Sequence, residues 1–379
     1  MKKATRRIAA LLSVSALLSL TACGGPIEQT PSTSPSASTP TESQTAEVLS
    51  TEPSYGGSVT LYYNSDINAY YDPAINDTAC YALWLESLFA YDVTMPTDEF
   101  QIQGDYIPSS CLTGQIADTW SWDEEAATIT VNLRQDVYFQ DKEPYNGRQF
   151  VAEDVVWSYS RLLGLNGYTK VETEYDWAST LNMIAGIEAT DDHTVVFTFN
   201  EGMANTIALT QLLNAKVNIA GPEWDELSET EKADWHYAKG TGPYILTDYV
   251  PDNSMTFTRN DNYYGVDERH PENKLPYIDT INLVYISDSA QILTQAQAGQ
   301  LDWFGENGKD VLSLDQISQL TAANVGTVYP FAAGSPSAIA LKVGQEPFSD
   351  IRVRQAMQLA IDLEAINTFL GNTGEVVVP

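Results

Sequence analysis

The stretches TITVNL (residues 128–133) and TVVFTF (194–199) alternate apolar and polar residues without a break. No other feature constrains the fold of this chain as strongly. Side chains of a strand point to opposite faces in turn, so Ile129, Val131 and Leu133 share one face, as do Val195, Phe197 and Phe199. Both runs are predicted as half-buried strands that need a cover. AEDVVWSYSRLL (152–163) supplies one: Ala152, Val155, Val156, Tyr159, Leu162 and Leu163 recur at helical spacing, which predicts a surface helix with a buried stripe. SVTLYY (58–63) reads as another strand, and alternation returns near 336–343. CYALWLESLFAYD (80–92) reads as a helix striped by Ala82, Leu85 and Phe89, and RVRQAMQLAIDLEAI (352–366) as one amphipathic helix. Strands and helices mixed without a regular βαβ rhythm predict an α/β architecture with mixed sheets.

At 379 residues the chain exceeds one ordinary core, so two or three domains are expected. Not all of it belongs to them. MKKATRRIAALLSVSALLSLTAC places four positive charges before thirteen apolar-rich residues, Ile8 to Leu20. A hydrocarbon core needs about 20, so this reads as an export signal over residues 1–22. It ends in LTAC, which is similar to the bacterial lipoprotein signature and makes Cys23 the lipidation candidate. Residues 26–54 hold 18 Ser, Thr or Pro in 29 positions. Such a tract buries too little apolar surface to order itself, so 23–55 is expected to be a tether with a reach of about 30 Å. With Cys23 lipidated, Cys80 and Cys111 remain as a pair that an oxidising compartment permits to join.

Removing the signal leaves 15 basic and 51 acidic residues, a formal charge of −36. Nucleic-acid binding needs clustered Lys and Arg, so that class is excluded. The catalytic and cofactor templates fail as well. Gly240 and Gly242 precede Pro243, which has no N–H for a phosphate, and GENGKD (305–310) lacks the P-loop's first glycine and its Ser/Thr. No GxSxG elbow exists, and His193, His236 and His270 stand apart, with no metal spacing. The acidic clusters at 123–125 and 267–269 sit in turn-like contexts, as chance predicts among 51 acids. The expectation is a protein that is no enzyme and needs no cofactor or metal.

One block is more specific. ADTWSWDEEAATITVNLRQDVYFQDKEPYNGRQFVAEDVVWSYSRLL (117–163) resembles the hallmark region of the family 5 extracellular solute-binding proteins, through Ala117 to Trp120, Leu133-Arg134 and Ala152 to Val155. GTGPYIL and RNDNYYG (within 240–265), AGQLDW (298–303) and PFSDIRVRQAMQLAID (347–362) resemble further motifs of that family in its order. Departures occur at Asp141-Lys142, in the apparent insertion NGRQF (146–150), and at Val151, where the family has Thr or Ser before its helix. A missing side-chain cap costs about 1 kcal/mol unless Asn146 or a nearby group substitutes.

The resemblance implies a two-lobed, periplasmic-binding-protein-like fold (type II with an extra domain), with mixed sheets and a hinge between the lobes. Domain I would span 56–91 and 206–276, domain II 92–205, and a second lobe would start at 277, with YIDTINLVYI (277–286) as the first crossing. It implies a monomeric receptor for short peptides on the extracytoplasmic face of the membrane, serving an ABC permease and its ATPase. Cleft residues carried over are Asp77, Tyr175 and Thr241, with Gly242 in the Gly-x-Gly-Pro-Tyr turn and Trp177 and Trp303 as further aromatics. An oligosaccharide or nickel-complex receptor of the same fold is the alternative, and a secreted glycoside hydrolase a remoter one. In the family the chain runs well past the 352–362 segment, so the second lobe is expected to be incomplete and less well ordered than 56–276.

Overall fold

The computed structural model describes residues 53–63, 71–74, 79–95, 111–171, 181–203, 205–214, 217–303, 314–327 and 339–369. Two four-stranded sheets carry the structure, in the orders β1-β12-β9-β8 and β4-β5-β7-β6. The first comprises β1 (Ser58–Tyr63), β8 (Tyr244–Val250), β9 (Ser254–Arg259) and β12 (Thr280–Tyr285). The second comprises β4 (Ala117–Asp123), β5 (Thr128–Leu133), β6 (Ile184–Asp191) and β7 (Thr194–Phe199). Short antiparallel pairs join β2 (Phe89–Tyr91) to β3 (Leu112–Gly114) and β10 (Val266–Asp267) to β11 (His270–Lys274).

The first sheet is mixed: β1 runs parallel to β12, and β12, β9 and β8 are antiparallel neighbours. The expected lobe crossing at 277–286 therefore contains a central strand of this sheet. The second sheet is wholly antiparallel, and its two period-two strands are neighbours, with Ile129 opposite Phe197 and Val131 opposite Val195. Their inward residues are buried as the alternation predicts.

Helix α1 (Ala152–Leu163) covers this sheet, but more than one stripe is buried. Asp154, Trp157, Ser158 and Ser160 join the apolar set, whereas Leu163 is only half-buried. Charged partners make that burial tolerable. Arg148 donates to the Asp154 carboxylate (Nη2–Oδ1 2.7 Å) and also pairs with Glu223, while Arg161 grips Asp72 at 2.8 Å. The missing cap is made good by main-chain carbonyls, not by Asn146: Asp192 O accepts the Ala152 N–H at 2.8 Å and Val151 O the Asp154 N–H at 3.0 Å, while the Asp154 carboxylate accepts the Val151 N–H at 2.9 Å.

Two other expectations are corrected. Residues 80–92 form no α-helix. A 3₁₀ turn, Ala79–Leu83, leads through extended backbone into β2, and Glu86 pairs with Ile219 in an isolated bridge. Trp84, Leu85, Glu86, Ser87, Leu88 and Phe89 are all buried, so this run is covered on every side and carries no helical stripe. The expected single helix at 352–366 is two, Ile351–Ala360 and Leu363–Phe369, parted where Asp362 caps the second by accepting from the Ala365 N–H. Residues 339–343 form no strand, and the remainder of the alternation near 336 lies outside the described residues.

Cys80 and Cys111 are buried thiols that do not form a disulfide. The acidic clusters cap turns: Asp123 accepts from the Ala126 N–H, and Asp267 from the Arg269 N–H and the Tyr277 hydroxyl. Among the described residues no helix is long and apolar enough to cross a membrane.

Candidate functional site

The turn 239–243 feeds β8, and its backbone lies against another backbone. The Gly242 N–H donates to the Trp84 carbonyl at 3.0 Å. A Cβ on Gly240 would stand 2.2 Å from the Trp84 carbonyl oxygen, and one on Gly242 2.7 Å from Trp84 Cα. Neither distance is possible for a real side chain, so contact within the chain, and not a left-handed backbone, demands these two glycines. Trp84 is itself immovable: its side chain is fully buried, stacked on Phe257 with ring centres 5.6 Å apart.

Two amides fasten the rest of the turn. The Gln140 N–H donates to the Gly240 carbonyl at 2.9 Å, and its side-chain amide donates to the Tyr244 carbonyl at 2.7 Å. Asn260 donates through Nδ2 to the Gly242 carbonyl at 3.1 Å and through its N–H to the Pro243 carbonyl at 2.8 Å. Thr241 contributes neither its N–H nor its carbonyl to these backbone bonds. The turn is thus held on both sides of Thr241, which is itself buried.

Beneath Thr241 lies a carboxyl group. Glu86 is 2% exposed, and its Oε1 accepts from Tyr263 OH (2.8 Å), Tyr264 OH (2.9 Å) and Gln115 Nε2 (3.2 Å). Burial pushes the Glu86 carboxyl up to about 7, against the pull of these donors. Burial, and then the Glu86 charge, push the Tyr263 and Tyr264 phenols well above their ordinary range. The Arg134 guanidinium sits 4.7 Å from the Tyr264 ring centre and pairs with Asp136, not with Glu86. The Thr241 hydroxyl is near enough to Glu86 to act on its ionisation, yet it makes no hydrogen bond of standard geometry, and neither does Glu86 Oε2.

Of the expected cleft residues, Thr241 and Gly242 stand in this turn. Trp303 stands elsewhere: residues 301–303 extend the free edge of β1, where the Asp302 N–H donates to the Thr60 carbonyl (2.9 Å) and Leu61 bridges to Trp303. Its side chain is 66% exposed. The turn and Trp303 thus occupy opposite edges of one sheet, four strand spacings or roughly 19 Å apart. Asp77, Tyr175, Trp177 and Cys23 lie outside the described residues. Among the described residues no group of His, Cys, Asp and Glu is arranged to hold a metal ion.

Glu86, Gln140 and the partnership of Tyr263 and Tyr264 escaped the reading of the sequence. A lone acid inside LWLESLFA was the available signal, masked by assigning that run to a helix.

Comparison with known proteins fits this arrangement. The di/tripeptide-binding protein 1 of Pseudomonas aeruginosa (strain UCBPP-PA14) is 27% identical over 258 residues, 66% of this chain and 46% of that protein. The oligopeptide-binding protein AppA of Bacillus subtilis is 25% identical over 256 residues, 65% of this chain and 41% of that protein. The chain therefore spans about half the length of the curated relatives it matches. Among solved structures, the periplasmic binding protein DppA of Helicobacter pylori with peptide STSA superposes with a TM-score of 0.60 at 20% identity, covering 84% of this chain and 59% of that one. MoaA of Agrobacterium tumefaciens R10 with mannopinic acid does so with a TM-score of 0.61, also at 20% identity, covering 84% and 58%. The fold is that of the two-lobed periplasmic binding proteins. The family model of bacterial extracellular solute-binding proteins, family 5 (Middle), matches residues 112–377, from β3 through the glycine turn to the last described helix, and the chain belongs to that family.

Proposed function

We propose that this protein captures short peptides outside the cytoplasmic membrane and delivers them to an ABC permease driven by its ATPase. What carries the reading is that relatives named for binding di/tripeptides and oligopeptides align over about two thirds of the chain. The glycine turn suits such a ligand. Its flanks are rigid, so the positions of Thr241 and Gly242 are fixed before any ligand arrives. Asp77 receives a positive group of the ligand, Tyr175 stacks or hydrogen-bonds, Trp177 adds apolar contact, and Gly242 shapes the turn. A tripeptide spans about 10 Å, so it reaches the turn or Trp303 but not both in this arrangement. Lobes closing about a hinge near 277 would complete the grip.

Calorimetry with tri-alanine, set against a panel of oligosaccharides, tests the ligand class. Peptide binding without saccharide binding is expected, and the reverse would overturn the proposal. Tyr175→Ala should weaken tri-alanine binding about tenfold, or 1.4 kcal/mol, with little change in melting temperature. Unchanged affinity would remove Tyr175 from the site.

Anchoring is proposed through lipid on Cys23, with 24–55 as the tether. Cys23→Ala should move the protein from the membrane fraction to the medium and abolish acyl labelling. Retention in the membrane fraction would mean that something other than lipid holds it.

A further inference from the structure

Of the three expected cleft residues among those described, one presents surface to a ligand. Thr241 is 1% exposed and Gly242 is buried, so the chain itself closes over the turn. Trp303 is 66% exposed. Single exposed aromatics are ordinary on protein surfaces, and exposure by itself assigns nothing. Two further observations set Trp303 apart.

The first is its position. Leu301, two residues earlier, is 6% exposed and belongs to a small apolar cluster with Tyr62, Ile286 and Ile292. Trp303 is bridged to Leu61, the residue before Tyr62. The indole therefore stands at the margin of this cluster, where an apolar group laid on it would lie beside an existing core. The second is how firmly its backbone is held. Asp302 engages both main-chain groups of Thr60: its N–H donates to the Thr60 carbonyl at 2.9 Å, and its Oδ2 accepts the Thr60 N–H at 2.7 Å. The carboxylate bond is charge-assisted and is the shorter of the two. Backbone freedom that a ligand would otherwise have to freeze is thus removed in advance. What remains loose is the indole's own two torsions, a small cost for a large flat contact.

We infer that Trp303 is the platform on which an apolar or aromatic side chain of the bound peptide rests, and that Asp302 is the residue that positions it. The ligand part of this inference rests on the peptide reading above. Thr241 and Gly242 then act from behind the surface, as scaffold. The chemistry of the platform names the side-chain class. An indole offers apolar area, a π face and a single donor, so it discriminates by shape and stacking more than by hydrogen bonds. The carboxylate next to it in the chain is turned to Thr60. A cationic side chain could also seek the π face, which makes a lysine peptide the informative rival.

The test uses the full chain. Calorimetry compares Ala-Phe-Ala, tri-alanine and Ala-Lys-Ala on wild type and on Trp303→Ala. Wild type should bind Ala-Phe-Ala about tenfold more tightly than either other peptide. Trp303→Ala should bring it down to the tri-alanine level while leaving tri-alanine affinity within about threefold. No preference in wild type, a preference for Ala-Lys-Ala, or a preference that survives Trp303→Ala would overturn the inference.

A second arm reads Asp302. With 5-fluorotryptophan at all eight tryptophans, Trp303→Phe identifies the Trp303 fluorine resonance. Asp302→Ala should move or broaden that resonance and lower Ala-Phe-Ala affinity about threefold. The urea midpoint should hold, because the freed Thr60 N–H lies at an exposed edge that water can reach. Asp302→Asn, which keeps an oxygen for Thr60, should restore both readings. On a Trp303→Ala background, Asp302→Ala should weaken binding no further. An unmoved resonance, or an equal loss on both backgrounds, would remove Asp302 as a positioning residue. Absence of binding by all three peptides would sink the peptide reading and the platform with it, leaving the resonance to decide whether Asp302 holds Trp303.

Discussion

Gly240→Ala is expected to destabilise the protein by on the order of 3–5 kcal/mol, among the largest effects a single methyl group has on a fold. The added Cβ would lie 2.2 Å from the Trp84 carbonyl oxygen and 2.8 Å from Leu85 Cδ2. The leucine tip can rotate aside, but the carbonyl cannot. It accepts the Gly242 N–H, and the residue that bears it is stacked on Phe257 and packed against Tyr81. Relief requires the turn and the 83–85 backbone to part, which breaks the Gly242–Trp84 bond and disturbs the Gln140 and Asn260 bonds behind it. Urea unfolding should show the midpoint falling with little change in slope. Gly186→Ala is the control, since a Cβ there meets nothing within 4 Å. A Gly240→Ala variant as stable as that control would show the turn to be pliable and would undercut its role as a rigid edge of the site.

Arg148→Met should cost a similar amount for an electrostatic reason. The guanidinium donates to both oxygens of Asp154, at 2.7 and 3.0 Å, and pairs with Glu223, while stacking 4.5 Å from the Phe139 ring centre. Asp154 is 1% exposed, so removing Arg148 leaves a buried carboxylate beside a second acid. Breaking one partner out of such a pair typically costs 3–5 kcal/mol, which for the unit carrying α1 lowers the melting temperature by roughly 10 °C. Burial already holds the Asp154 carboxyl above its ordinary range, and loss of the cation should raise it further, so the variant's deficit should shrink as pH falls, opposite to the usual acid loss of a paired carboxylate. Arg148→Met combined with Asp154→Leu should recover part of the loss, because no buried charge is then stranded. A single variant within 1 kcal/mol of wild type, or one whose loss is independent of pH, would contradict the network as described.

The same contrast between local and distant causes separates what the sequence determined from what the tertiary structure decided. Strands β5 and β7 and helix α1 were legible because each buries a face that the periodicity records. The export signal, the candidate lipid cysteine and the family motifs were legible for a related reason: each is a contiguous string whose chemistry does not wait for folding. Residues 80–92 were not legible. Their conformation is set by partners at Ile219 and Gly242, more than a hundred positions away, and burial on every side removes the periodicity that would have revealed it. Val151 without a capping side chain looked like a defect until the Asp192 carbonyl, far along the chain, was seen to accept the Ala152 N–H. The glycines of 240–242 looked like a bend for a ligand, and their tight constraint turned out to be the chain's own backbone at Trp84. Glu86 shows the limit most clearly. Alone it is one acid among 51, and only the meeting of Gln115, Thr241, Tyr263 and Tyr264, up to 178 residues distant, makes it a buried carboxyl that burial holds near neutrality. A sequence states which groups a chain carries, but desolvation depends on what surrounds them, and that is decided only when distant segments close around the charge.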